Sequence, residues 1–316
     1  MTAINDETTG PIVLLGPQTD FNEIGEMLDE VQADGSVALI TTGWQENESE
    51  DEALIEKLRR PAINLALHAR SERIYAQESG YAKARAARQA RLQHLQRFYR
   101  MRLEAVDEAA RAIGVRHVDA ELLDEQHSIT VAQMCHLDND HLQRCQTEWA
   151  AFDSQWPAAE QASIASERAE LAEIVDRCAA VVISGGHLTA LLNRLRLFNV
   201  LANLGNKPII AWSAGAMCLS DRIVLFHDSP PFGKNLAQML DVGLGLIKNV
   251  VVMPDPSRRL RTHESEGISR FTQRMAPAEC LGMDIGARLI FNQGRLQSAF
   301  AHRLLPNGQL QRGWRL

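Results

Sequence analysis

Short, predominantly apolar runs set the limits on what this chain can fold into. They are Ile12 to Leu15, Val37 to Thr41, Ala179 to Ile183, Pro208 to Ala211 and Val250 to Met253. None alternates polar with apolar residues, and each is bounded by turn signals such as Gly16-Pro17. Such runs read as strands covered on both faces. Between the first two, Phe21 to Val31 places Ile24, Met27, Leu28 and Val31 at helical spacing, and Asp34-Gly35 ends the helix. The opening is therefore β-α-β, which predicts an α/β fold with a mostly parallel sheet.

Composition narrows the function classes. The chain has 316 residues and a formal net charge of -7, so as a whole it lacks the basic signature of a nucleic-acid binder. Its cysteines, Cys135, Cys145, Cys178, Cys218 and Cys280, are odd in number and form no CxxC pair. Neither a disulfide framework nor a zinc ribbon is indicated. Met1 to Gly10 is polar and acidic, unlike a secretory signal, and no apolar run is long enough to span a membrane. The expectation is a cytoplasmic protein with no membrane partner, no nucleic-acid partner, no metal and no cofactor.

The middle of the chain is helical in pattern. After Pro61 a helical region runs to about Ile113, carrying Lys83, Arg85, Arg88, Arg91, Arg97, Arg100 and Arg102 among alanine, leucine and glutamine. Acids return at Glu104, Asp107 and Glu108, so the basic residues read as a solvated or partner-facing helix side. Gly114-Val115 stops this helix, and Val115 to Leu122 is expected to be a strand. Helices are expected again over Ser128 to Ala151 and Ala158 to Cys178, with Trp156-Pro157 between them. The spacing of Cys135, His136, His141 and Cys145 does not match a structural zinc site. The expected organisation is one α/β domain over residues 1–316 with a largely helical insertion at 60–175. An exposed helical hairpin also admits a homo-oligomer. The C-terminal part reads as strands over Cys280 to Asp284, Arg288 to Phe291 and Leu296 to Phe300, with hairpin turns.

Chemistry concentrates at strand ends. In Ala211-Trp212-Ser213-Ala214-Gly215-Ala216 small residues surround a serine between an apolar strand and a helix. This is a nucleophile-elbow pattern, with Ala211 in place of the usual first glycine of G-x-S-x-G. Ser184-Gly185-Gly186-His187 is a glycine turn at another strand-helix junction, where exposed N–H groups suit an oxyanion. Parallel neighbouring strands would set the two junctions side by side. Thr41-Thr42-Gly43-Trp44 ends a third strand, where ligands gather in open sheets. A basic run, Arg258, Arg259 and Arg261, follows Pro254-Asp255-Pro256.

The order Ile183-Ser184-Gly185-Gly186, Ala211 to Ala216, Gly243-Leu244-Gly245-Leu246 and Gly282-Met283-Asp284 resembles the serine peptidases of the dipeptidase E and cyanophycinase family, within the class I glutamine amidotransferase-like superfamily. The resemblance covers roughly residues 11–58 and 176–300. It implies a flavodoxin-like three-layer sandwich, with Ser213 as nucleophile and an oxyanion hole from Ala214 and the Gly185-Gly186 turn. It also implies hydrolysis of peptide or isopeptide bonds near acidic residues through an acyl-enzyme. Trp44, Arg258 and Arg259 would then contact a small acidic peptide or other anionic ligand.

The chain departs from the family pattern at three places. Asp255 stands where the family keeps its catalytic histidine, and aspartate is an intrinsically poorer base near neutral pH. His187 and Leu188 follow the glycine turn where an Asn or Asp and a Gln are usual, and Ile285 replaces a glutamate. His187, His227 and His263 are the candidates for a relocated base. Two readings stay open: a serine hydrolase with a relocated base, and a degenerate member that binds a ligand or protein without turnover. Glutamine amidotransfer would need a cysteine at the elbow, whereas Cys218 lies later, on the following helix, where burial is expected.

Overall fold

A computed structural model describes residues 10–19, 22–226, 236–260 and 264–316. Strands β1 (Ile12–Leu15), β2 (Val37–Ile40), β3 (Ala62–Asn64), β4 (Ala180–Ile183) and β5 (Ile209–Trp212) form one half of a sheet in the order β3-β2-β4-β5-β1. Every pairing in this half is parallel. The unbroken apolar runs follow from burial on both faces. Val13, Leu15, Leu39, Val182 and Ile210 point to one face, under α1 (Ile24–Glu30) and α2 (Glu52–Leu58). Ile12, Leu14, Ile40, Val181, Ile183 and Ile209 point to the other.

That second face is covered by α3 (Leu67–Gln77), α4 (Ser79–Gly114), α5 (Ala120–Gln155), α6 (Ala162–Asp176), α7 (Leu188–Phe198) and α8 (Ala214–Leu219). The architecture is thus a three-layer α/β sandwich, as expected. α4 and α5 each run 36 residues and pack together as an antiparallel hairpin, about 54 Å long at 1.5 Å per residue. Between β3 and β4 the chain is helical from Leu67 to Asp176 apart from short connections.

Two local expectations change. Val115 to Leu122 is not a strand: it is the hairpin turn and the first turn of α5. Asp119 caps that helix, accepting from the N–H groups of Glu121 and Leu122 at 3.0 and 3.3 Å. Val115 and Val118 are 74% and 51% exposed, so their apolar character has no sheet to join. The helical segment also begins later than residue 60, because Ala62–Asn64 is the short edge strand β3.

The rest of the sheet comes from the C-terminal part. After β6 (Arg222–Leu225) and β7 (Gln238–Val242), an antiparallel pair outside the main sheet, come β8 (Val250–Pro254) and β9 (Glu279–Met283). Between these lie α9 (Pro256–Arg259) and α10 (Ser265–Met275). Strands β10 (Arg288–Asn292), β11 (Arg295–Leu304) and β12 (Leu310–Arg315) end the fold. β10 pairs antiparallel with β1, extending the sheet as β1-β10-β11-β9-β8, and β8 and β9 are parallel.

The hairpin is locked to this part by a buried ion pair. Arg274 of α10 donates to both carboxylate oxygens of Asp138 on α5 at 2.7 Å. Tyr99 of α4 donates to the same carboxylate at 2.7 Å and accepts from the Met239 N–H at 3.0 Å. Among the described residues no helix is long and apolar enough to cross a membrane.

Candidate active site

The site begins with backbone geometry. Ser213 sits between β5 and α8 with φ 51° and ψ -123°, a conformation that costs a non-glycine residue about 1–3 kcal/mol. Glycines make the turn sterically feasible. A β-carbon at Gly215 would lie 2.6 Å from the Ile183 carbonyl oxygen and 2.8 Å from that of Ser184. One at Gly185 would lie 2.8 Å from the Ser213 β-carbon and 3.4 Å from its hydroxyl. The parallel register of β4 and β5, with Ile183 opposite Ala211, sets the glycine turn beside the serine.

The end of β2 joins them. The His187 N–H donates to the Gly43 carbonyl at 2.7 Å, and the Ser184 N–H to that of Ile40 at 2.9 Å. Gly186 adopts φ 115°, and a β-carbon there would lie 2.4 Å from the Gly43 oxygen. Glu48, 4% exposed, accepts from the N–H groups of His68 and Ala69 at 2.9 and 2.6 Å and from the Thr42 hydroxyl at 3.3 Å. It thereby ties the Thr42-Gly43 turn to the start of α3. Trp44, on that turn, is half-buried and packs on the cluster beneath α1 and α2.

The N–H groups of Gly185, Gly186 and Ala214 donate to no described residue. Gly185 and Ala214 are buried. Buried N–H groups are nearly always satisfied, so open donors around a serine hydroxyl can serve a developing oxyanion. The Ser213 hydroxyl also makes no hydrogen bond to a described residue and is half-buried.

No imidazole among the described residues bonds to Ser213. His187 is exposed, and its Nδ1 accepts from the Ala190 N–H at 3.2 Å, capping α7. His227, His263 and Arg261 lie outside the described residues. Asp255 follows β8, the strand on which α8 packs. Its backbone is left-handed, φ 54° and ψ 50°, and its N–H donates to the Met283 carbonyl at 3.0 Å. Burial pushes its carboxyl above the usual range, Arg258 opposes the shift, and the neighbouring charge of Asp284 adds to it. Arg258 stands 3.5 Å from this carboxylate with its side chain 84% exposed, and Arg259 is half-buried.

Sequence reasoning missed His302. Its Nε2 is 3.2 Å from Asp284, while its Nδ1 accepts from the Gly313 N–H at 3.1 Å. The second contact leaves the Nε2 proton for Asp284 in the neutral ring. Asp284 also accepts from the Ser257 hydroxyl at 2.6 Å and N–H at 3.2 Å. Only the pairing of β9 with β11, which sets Gly282 opposite His302, could have shown this cluster. Ile285, at the position of the family glutamate, is 55% exposed.

The other residues weighed for chemistry lie apart. Cys218 is fully buried in α8. His141 and Cys145, one turn apart on α5, meet at 3.6 Å beside the Leu240 carbonyl. Among the described residues no three His, Cys, Asp or Glu side chains are grouped to hold a metal.

No known family profile and no curated protein matches the sequence. Solved structures do. A peptidase from an acI-B1 Actinobacterium is 14% identical, with 98% of each chain covered and a TM-score of 0.47. A protein of Listeria monocytogenes EGD-e assigned as a peptidase E is 11% identical, covering 94% of this chain and 99% of its own, with a TM-score of 0.43.

Proposed function

We propose that the crevice at the ends of β2, β4 and β5 is a serine-type acyl-transfer site that hydrolyses peptide or isopeptide bonds near an acidic residue. The observation that carries this reading is the strained Ser213 beside the buried Gly185 and Ala214, whose N–H groups have no partner among the described residues. Strain of this kind persists where the surrounding structure over-determines it, and clusters at active sites.

In the proposed reaction the Ser213 oxygen bonds to the amide carbonyl carbon, and the negative oxygen is held by the N–H groups of Ala214 and the Gly185-Gly186 turn. The hydroxyl proton passes to a general base, for which Asp255 at the position of the family histidine is the candidate, and then to the leaving amine as the C–N bond breaks. Water then cleaves the acyl ester and restores the hydroxyl. Arg258 and Arg259 would attract an acidic substrate.

The second reading is a crevice that binds an acidic ligand without turnover. It is favoured by the engagement of His187 in capping α7 and by a Ser213 hydroxyl with no described base bonded to it. Amine release from aspartyl dipeptides separates the two. Release by the wild type that disappears in Ser213→Ala supports hydrolysis. Saturable binding of the same dipeptides with no release supports the ligand-binding reading and overturns the first.

A further inference from the structure

A cavity of about 350 Å³ lies where the α4–α5 hairpin meets α6 and α7. It is reached from the C-terminal half of α7, whose other end carries His187. Four arginines line it, Arg85, Arg88, Arg168 and Arg196, against one described carboxylate, Asp153. Two of the four are committed to the fold. Arg168 donates twice to the Leu197 carbonyl, at 2.9 and 2.7 Å. Arg196 donates to the Val242 carbonyl at 2.6 Å and to Asp241 at 3.3 Å.

Arg85 and Arg88 are different. Neither guanidinium donates a hydrogen bond or forms an ion pair with a described residue, and the Nε of each is buried without a partner. Arg88 is only 8% exposed. Burial pushes it down to about 10, so it stays charged at neutral pH. A buried cation with no bonded anion is costly. The Asp153 carboxylate in the same cavity attracts it through space, and two aromatic rings add to this: it lies 3.7 Å from the Trp149 ring centroid and 4.2 Å from that of Phe152. Arg85 lies over Tyr75 at 4.5 Å. These rings satisfy part of the charge but none of the fork of N–H donors.

The remaining wall mixes apolar side chains with the amides of Asn193 and Asn199. Tyr81 and Phe152 meet edge to face at 5.4 Å, and Leu201 and Leu244 also line the space. The volume is near the lower end of small-molecule sites. A guanidinium fork takes a carboxylate or phosphate group by two parallel hydrogen bonds.

We propose that this cavity binds a small organic oxyanion with an apolar body, its carboxylate or phosphate paired with Arg88 and Arg85 and its body against Tyr81 and Phe152. The site is separate from the Ser213 crevice and does not depend on acyl transfer there.

Titration calorimetry of the whole chain with benzoate and with phenyl phosphate tests this. Saturable binding of at least one is expected, and which one binds tells a carboxylate site from a phosphate site. Arg88→Met and Arg85→Met should each weaken it about tenfold or more. Arg91→Met, whose wild-type side chain is 68% exposed on the same helix, should leave it unchanged. Binding of neither probe, or binding untouched by Arg88→Met, overturns the proposal. Should Arg88→Met misfold, crystals of the wild type soaked in 4-bromobenzoate give the same decision. Anomalous bromine density in the cavity supports the site, and density only elsewhere, or none, overturns it.

Discussion

Gly185 and Ser213 are in such close apposition that a β-carbon on the first would sit 2.8 Å from the β-carbon of the second. Real β-carbons do not approach so closely, so any side chain at 185 must displace the serine or the glycine turn. Gly185→Ala should therefore fold while losing reaction at Ser213 by about a hundredfold or more, the scale of losing one oxyanion donor. Acylation rates and circular dichroism on the same samples check both halves.

The backbone at Ser213 should reveal its cost through stability. Glycine accepts φ 51° without the penalty a β-carbon incurs. Ser213→Gly is expected to be more stable than Ser213→Ala by about 1 kcal/mol, although both lack the hydroxyl. Urea denaturation of the two variants measures the difference, and equal stabilities would mean that the turn is unstrained.

Asp255 should impose a pH dependence on stability. Burial raises its folded-state pKa above the ordinary 3.8, with Asp284 adding to the shift and Arg258 opposing it. For a group raised in this way, the stabilising contribution is complete below the unfolded value and is lost as pH rises through the folded one. Asp255→Asn, which suits a left-handed backbone, removes that loss. Its melting temperature should exceed the wild type's at neutral pH, with the gap closing as pH falls toward 3.8. A gap that widens on acidification would contradict this.

The buried pair Arg274 and Asp138, with side chains 2% and 4% exposed, fastens the hairpin to α10. Arg274→Met leaves the Asp138 carboxylate buried with only Tyr99 for a partner among the described residues, a change worth about 3–5 kcal/mol. The double variant Arg274→Met with Asp138→Leu should lose less than the two single losses added together, because neither charge is stranded. Chemical denaturation of the three variants decides it.

The parallel half of the sheet was legible because burial on both faces writes itself as unbroken apolar runs. The same logic hid β3, whose residues Ala62–Asn64 form an edge strand with a half-exposed pattern. β6 and β7 went unread because they pair outside the main sheet, where no continuous apolar run is needed. Val115 to Leu122 misled because local apolar character cannot tell a strand from an exposed helix–helix turn. The elbow and the glycine turn were readable from small residues at strand ends, and parallel pairing places them together. His302 was not readable: its approach to Asp284 depends on the β9–β11 pairing, between residues distant in sequence. The capping role of His187 was equally hidden, since a histidine after a glycine turn looks the same whether it faces the serine or its own helix.

The central claim is that Ser213 is a nucleophile set over open N–H donors. Intact-mass spectrometry after exposure to a fluorophosphonate probe, with peptide mapping, tests it most directly. The account predicts a single adduct on the peptide bearing Ser213, absent from Ser213→Ala and strongly slowed in Gly185→Ala. A wild-type protein that stays unmodified, or an adduct that persists in Ser213→Ala, would contradict it.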